Sequence, residues 1–436
     1  METISGEKFI EIICSNEAEI ISNYLVQIEK PLNIDLVKVN LGITFSNIKF
    51  SGKQIKFYKH QKESLHRFTF EQCIFESNIY IESDFEDLSF IANIFNCDKF
   101  EISNSEIGAL KFNEKANIFN KGNFKIHNCD FNFIFWFKNI QFMENTIIDI
   151  SSVKFLGGCF FDFTLLNQIS FYSCNFFKEF RYDCNYNSSQ FRECNFLERT
   201  TFLGLFNVDL GNSFLWFDNC SFSKLADLNG YFVHKLRIED TIFLDNVSLQ
   251  KVYLNIITIV RTVFEKKVWF ENIQINQIEN CDIETIRTIK QELQKAENRI
   301  DFNRFRNYEL IAHYNELSFK NNFKDKFILW ATKWSSNYGS WIWAFWFTLI
   351  IGFVFFTLFY ILENIKLALD LSNWQDFLYG YFRFFLITDF KNEYYEAGES
   401  VLKFNCFLSL VPFIIGKIAV AFGIYEMIQS FRKFKA

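Results

Sequence analysis

Cys174-Asn175-Phe176 returns as Cys194-Asn195-Phe196, and the interval between the two decides how this chain is read. The same theme stands at Cys73 ("CIF"), Cys129 ("CDF"), Cys220 ("CSF"), Thr241 ("TIF"), Thr262 ("TVF") and Cys281 ("CDI"), with steps of 20, 26, 21, 21 and 19 residues from Cys174 onward. A small residue followed by a large apolar one at a nearly fixed step marks a stacked repeat. Between these anchors lie "KFEIS" (99–103), "NFKIHN" (123–128) and "KVWFENI" (267–273), which alternate apolar and polar residues as strands do. The pattern predicts a parallel β-solenoid over residues 45–282, preceded by an N-terminal cap region (1–44). Its coils stack Phe on Phe and small residue on small residue, with Cys standing in for Ser, Thr or Ala.

Composition agrees with this. The 436 residues include 60 Phe and only two Pro, and half are hydrophobic, which is too aromatic for an average soluble enzyme and too long for a single ordinary core. A net charge of −6 argues against polyanion binding by the whole surface but leaves room for local basic patches. "METISGEKFIEII" has no apolar stretch with a small-residue cleavage site, so it does not read as a secretory signal. The 11 Cys lack CxxC spacing and read as reduced, buried thiols. Cys174, Cys184 and Cys194 are evenly spaced, but no His lies among them and the coil register explains two of the three, so no metal site is expected. No GxSxG, HExxH, Walker or GxGxxG pattern is present, and no catalytic residue or cofactor is expected.

The anchors resemble the pentapeptide-repeat family, in which four five-residue faces make a coil of about twenty residues. That resemblance implies a right-handed, quadrilateral-like parallel β-helix. The match is degenerate, because few five-residue units are clean and several coils carry insertions.

At Asp282 the period changes. Ile283, Ile286, Ile289, Leu293, Ala296 and Ile300 recur at helical spacing behind an Asp N-cap, opening a helical linker over 283–336. Within it, Phe323, Phe327, Trp330 and Trp334 lie opposite Lys324, Lys326 and Lys333, the pattern of an interfacial helix in a lipid headgroup layer. Residues 337–436 then read as a two-span transmembrane domain. Trp341–Leu362 and Phe404–Tyr425 are each long enough at about 1.5 Å per residue to cross a core of about 30 Å, and basic residues flank their outer ends. The positive-inside rule therefore puts the solenoid and both termini in the cytoplasm.

Between the spans, Trp374, Phe377, Leu378, Tyr381, Phe385 and Leu386 form a short apolar face followed at once by Thr388-Asp389-Phe390. Span, re-entrant helix, polar loop, span resembles the two-transmembrane potassium-channel-like domain, over about residues 338–435. The resemblance fails at the filter. No Gly-containing TVGYG-type run is present, so Thr388, Asp389 and Phe390 occupy a filter position without a potassium filter. Asp389, backed by Glu393, Glu396 and Glu399, is a candidate cation-attracting ring. Lys417, in mid-span at an insertion cost of about 2.5–3.5 kcal/mol, is a pore candidate. Gly416, Ala419, Val420 and Gly423 offer small faces for close helix approach, and a pore of this type implies a homotetramer.

A sensor needs a ligand. Lys49, Lys53, Lys56, Lys59 and Arg67, interleaved with aromatics, form the first candidate site for a nucleotide or single-stranded oligonucleotide; Arg287, Arg299, Arg304 and Arg306 form the second. The whole layout resembles bacterial antiphage effectors of the Hailong type. By that resemblance, a partner nucleotidyltransferase makes an oligonucleotide that controls a membrane-permeabilising channel subunit. The alternative is a membrane-anchored, non-conducting scaffold whose solenoid binds protein partners.

Overall fold

The computed structural model describes residues 1–15, 19–39, 41–59, 65–112, 115–143, 146–166, 168–186, 188–203, 213–363, 374–389 and 407–432, apart from the side chains at 163–166, 184–186, 232 and 376. The chain divides into two compact units, Met1–Asp301 and Phe302–Ala436.

The first unit is a β-solenoid in which every strand pairs in parallel with its equivalent one coil away. Four ladders run along it. The first is a sheet of 12 strands reaching from Leu32–Asp35 to Gln274–Ile275, with Gln168–Tyr172, Ser188–Arg192 and Phe214–Asp218 among its members. The second is made of two-residue strands such as Asn175–Phe176 and Asn195–Phe196. The third includes Gly158–Leu166, Phe180–Tyr186 and Thr200–Leu203, and the fourth includes Lys49–Gly52, Ile74–Phe75 and Ile94–Phe95.

The second ladder is what the CNF theme encodes. Phe131, Phe155, Phe176, Phe196, Phe222, Phe243 and Phe264 occupy one register position. Consecutive rings stack at 4.5–5.4 Å with interplanar angles of 1–12°. All are buried except Phe264, the last rung, which is half-buried because no further Phe covers it. Two residues before six of these seven Phe a Cys or Thr does one job, its side chain donating to the backbone carbonyl two positions back, while before Phe155 the position is held by the buried Val153. Cys174 Sγ reaches Tyr172 O at 3.5 Å, Cys194 Sγ reaches Arg192 O at 3.3 Å and Thr241 Oγ1 reaches Glu239 O at 2.8 Å. These contacts explain why Cys exchanges with Thr in the theme. The residue before the anchor turns the corner with positive φ, at Asn128, Ser173, Glu193, Asn219, Asp240 and Arg261 (47–54°), a left-handed conformation that Asn and Asp tolerate best.

One anchor is out of phase. Cys73-Ile74-Phe75 lies on the fourth ladder, where Phe50, Phe75, Phe95 and Phe119 stack at 4.1–5.2 Å. The early coils use the long strands Phe85–Ile91 and Glu106–Phe112 to run through the corner that later coils break, so their Phe column stands on another side.

Both ends of the core are covered by helices. Helix α1 (Gly6–Cys14) sets its fully buried Phe9 against the rings of Phe45 and Phe50. Residues 1–44 thus hold a cap and also the first rungs, since Glu2–Ser5 already pairs with Tyr24–Ile28. Helix α2 (Ile283–Lys295), capped by the Asp282 side chain, buries Ile286, Ile289 and Leu293 at the other end. Ile300 is not part of that stripe: it lies on α3 (Arg299–Glu316) and is 77% exposed.

The second unit contains α4 (Phe323–Ser336), α5 (Trp341–Glu363), α6 (Trp374–Phe384) and α7 (Phe407–Arg432). α5 and α7 pack as an antiparallel hairpin: Trp341 stacks on Phe431 at 5.7 Å, and Glu363 meets Ser409.

The stack predicts a gradient of mutational cost. Phe196→Ala, with a ring on each side, is expected to destabilise the solenoid by about 3–5 kcal/mol in denaturant unfolding, and Phe264→Ala by clearly less. Equal costs would contradict the stacking account.

Candidate functional site

α5 and α7 are long and apolar enough to cross a membrane, and only 22% and 33% of their most apolar windows are buried, whereas the core helix of a soluble domain is mostly buried. Ile342, Trp346, Ile350, Phe353 and Leu358 on α5, and Leu408, Val411, Ile415 and Ile418 on α7, are exposed. The small residues face the other way. A Cβ on Gly416 would collide with Phe355 and Phe384, and one on Gly423 with Thr348. The close approach expected of Gly416, Val420 and Gly423 is made inside one chain, where α7 meets α5 and the end of α6.

α6 lies against this hairpin. Phe377, Tyr381 and Phe384 join Phe356, Phe359, Phe413 and Val420 in one buried cluster, and Tyr381 Oη donates to Leu349 O of α5 at 2.8 Å. Trp374, Leu378 and Leu386 are exposed, so the buried face of α6 is narrower than the six-residue stripe read from sequence. Lys417 comes from α7 to the end of α6. Its Nζ donates to Phe384 O at 2.9 Å and Leu386 O at 2.7 Å, with the rings of Phe384 and Phe413 4.9 and 5.4 Å away. It is 3% exposed, so it neither snorkels to the interface nor faces open space within the chain. A lysine placed at the carbonyl end of a helix meets that helix's negative pole and fills acceptors that have no partner within it.

Thr388 and Asp389 follow α6 directly. The Asp389 carboxylate is paired with Arg383 of α6 at 2.7 Å, and its N–H closes a turn on Leu386 O. Phe390, Glu393, Glu396 and Glu399 lie outside the described residues. The sequence reading passed over Arg383 and two buried acids. Glu363 accepts from Ser409 at 2.5 Å and Glu426 accepts from Ser336 at 2.8 Å, so each end of the hairpin has a carboxylate closed by a serine. An acid inside the apolar "GIYEMIQSF" run was the available signal for Glu426.

The first basic set is not gathered. Lys49, Lys56 and Arg67 lie on the fourth, first and third ladders, and each is paired with an acid from the neighbouring coil: Lys49 with Glu76 and Lys56 with Glu82, both at 2.7 Å, and Arg67 with Glu86. Lys53 sits at an exposed corner and Lys59 is half-exposed, beside residues 60–64, which are not described. The second set is divided between the two units, Arg287 and Arg299 in the first and Arg304 and Arg306 in the second. The same inter-coil pairing recurs at Arg261–Asp240, Lys266–Asp245 and Lys154–Asp130. These six cations therefore clamp neighbouring coils together, while Lys99, Arg181 and Arg237 pair with acids two residues along their own strands. The evenly spaced thiols behave likewise: Cys174 and Cys194 bond to backbone carbonyls, burial pushes the Cys194 thiol up, and the Cys184 side chain lies outside the description.

Comparison with protein-family models, curated proteins and solved structures returns no match. The class is set by the fold alone: a β-solenoid followed by helices, two of which are long and apolar enough to span a membrane.

The clamps carry a pH signature. A hydrogen bond from Lys49 holds the Glu76 carboxyl below its usual range, so its contribution is full above pH about 4.5 and is lost as pH falls through the lowered value. Both side chains are about one-third exposed, which limits the effect to a few tenths of a kcal/mol. In urea melts, Lys49→Ala is expected to be slightly less stable than wild type at pH 7, with the difference shrinking as the medium is made acid enough to protonate Glu76. A difference that persists in acid would assign Lys49 another role.

Proposed function

We propose that this chain is an oligomeric ion-conducting subunit of a bacterial inner membrane, in which α5, α6 and α7 form the pore domain and the solenoid acts as the cytoplasmic sensor. The observation that carries the reading is the seat of α6: a short helix packed against a hairpin of two lipid-length apolar helices, its carbonyl end fixed by a mid-span lysine. Irregular backbone at membrane depth is tolerated only where protein or a water-filled path satisfies it, and the turn after α6 has that protection from Lys417 and Arg383. The sensor's ligand is proposed to be a nucleotide or short oligonucleotide, and the role implied by the Hailong-type resemblance is membrane permeabilisation in antiphage defence, with a homotetramer as the assembly. Lys49, Lys56 and Arg67 are clamped to neighbouring coils, and Lys53, at an exposed corner, is the basic group to test first.

The Asp389–Arg383 pair also favours a second reading, a membrane anchor that passes no ions and presents the solenoid to partners. Purified protein in liposomes separates the two. Under a panel of nucleotides and short single strands, the conducting reading predicts ion flux with poor discrimination between potassium and sodium; silence under every condition would leave the anchor.

Topology supplies an independent check. The antiparallel hairpin brings the Lys-bearing α4 and the Arg432 end of α7 to one side, the cytoplasmic side by the positive-inside rule. A thiol probe introduced near Glu393 is expected to react from outside the cell and one at the C-terminus is not. The opposite pattern would place the solenoid outside and remove the sensor argument.

A further inference from the structure

Cations are held in membrane pores by rings of backbone carbonyls that replace water, or by rings of carboxylates. The segment after α6 contains both kinds of group, and both are already matched by cations of the chain itself. The carbonyls of Phe384 and Leu386 accept from Lys417 Nζ at 2.9 and 2.7 Å, and the Asp389 carboxylate is held by Arg383 at 2.7 Å. Ring faces of Phe384 and Phe413, 4.9 and 5.4 Å from the ammonium, complete surroundings suited to a cation. The ammonium thus stands where a dehydrated potassium or sodium ion would have to stand to use this helix end. In the stretch Arg383–Asp389 together with Lys417, two cations face one carboxylate.

We propose that Lys417 is a selectivity-determining residue: a tethered cation that occupies the carbonyl site at the end of α6 and denies it to permeant cations. The proposal rests on the conducting reading above. It makes discrimination between potassium and sodium weak because the carbonyls are not available to strip either ion of water. It also makes Lys417 more than a helix cap, since a cap needs only donors whereas exclusion needs the charge.

The test separates donor from charge. Lys417→Gln keeps an N–H₂ group that can donate to a carbonyl but carries no charge, and Lys417→Arg restores the charge. In planar bilayers under a potassium chloride gradient, the reversal potential of Lys417→Gln is expected to report a severalfold rise in potassium-to-chloride permeability, and that of Lys417→Arg to move back toward wild type. An unchanged reversal potential in a conducting Lys417→Gln protein overturns the proposal and leaves the conducting reading intact. If that variant does not assemble, wild type under opposed potassium and sodium solutions decides: a reversal potential near zero supports the proposal, and strong potassium preference overturns it. A wild-type protein that passes no ion under any ligand overturns both.

Discussion

A coil of this solenoid cannot bury its own phenylalanine; only the coil above and the coil below can do that. The seven-ring column from Phe131 to Phe264 therefore fixes the register of each coil whatever its length, together with the left-handed corner before each anchor. Each buried ring contributes about 1.5–3 kcal/mol in area terms, and near-parallel stacking adds about 0.5–1.5 kcal/mol where neighbours are in register. The ends follow from the same need. Phe9 from α1 and the Ile286, Ile289 and Leu293 face of α2 supply what the missing next coil cannot.

The second unit answers a different problem, how to end helices whose last carbonyls have no partner within the helix. Lysine is the shared device. Lys326 of α4 donates to Tyr314 O and, at 2.9 Å, to Leu317 O at the end of α3, with its ammonium 3.8 Å from the Tyr314 ring centre. Lys417 does the same for α6. In each case a flexible side chain with three donors fills carbonyls that the helix leaves open. The consequence is an elbow between α3 and α4 that leaves Phe323, Phe327, Trp330 and Trp334 exposed in succession, rings 5.7–6.4 Å apart, on the helix that leads into α5. That aromatic stripe is the surface expected of a helix lying at a lipid interface.

The periodic parts were legible in the sequence. CNF and its variants gave the repeat, Asp282 gave the start of α2, and two long apolar runs gave α5 and α7, because burial of a regular element leaves a regular trace. What the sequence hid was pairing across the fold. Glu76, Glu82 and Glu86 take Lys49, Lys56 and Arg67 out of a basic run that looks open in one dimension. Gly416 and Gly423 look like an oligomer face until α5 is seen lying on them. Cys73 repeats the right letters on the wrong side of the coil, since a step count does not say where a corner is broken. Asp389 reads as a free carboxylate until Arg383, six residues earlier, is found one helix turn and a loop away.

The central claim is that the α5–α7 hairpin lies in a bilayer, and extraction of native membranes tests it most directly. Washing membranes from expressing cells with strongly alkaline carbonate strips proteins held by surface contacts and leaves those with helices in the hydrocarbon. The exposed apolar faces of α5 and α7 predict that the full chain stays in the pellet and is released only by detergent. Recovery of the full chain in the carbonate supernatant would contradict the account.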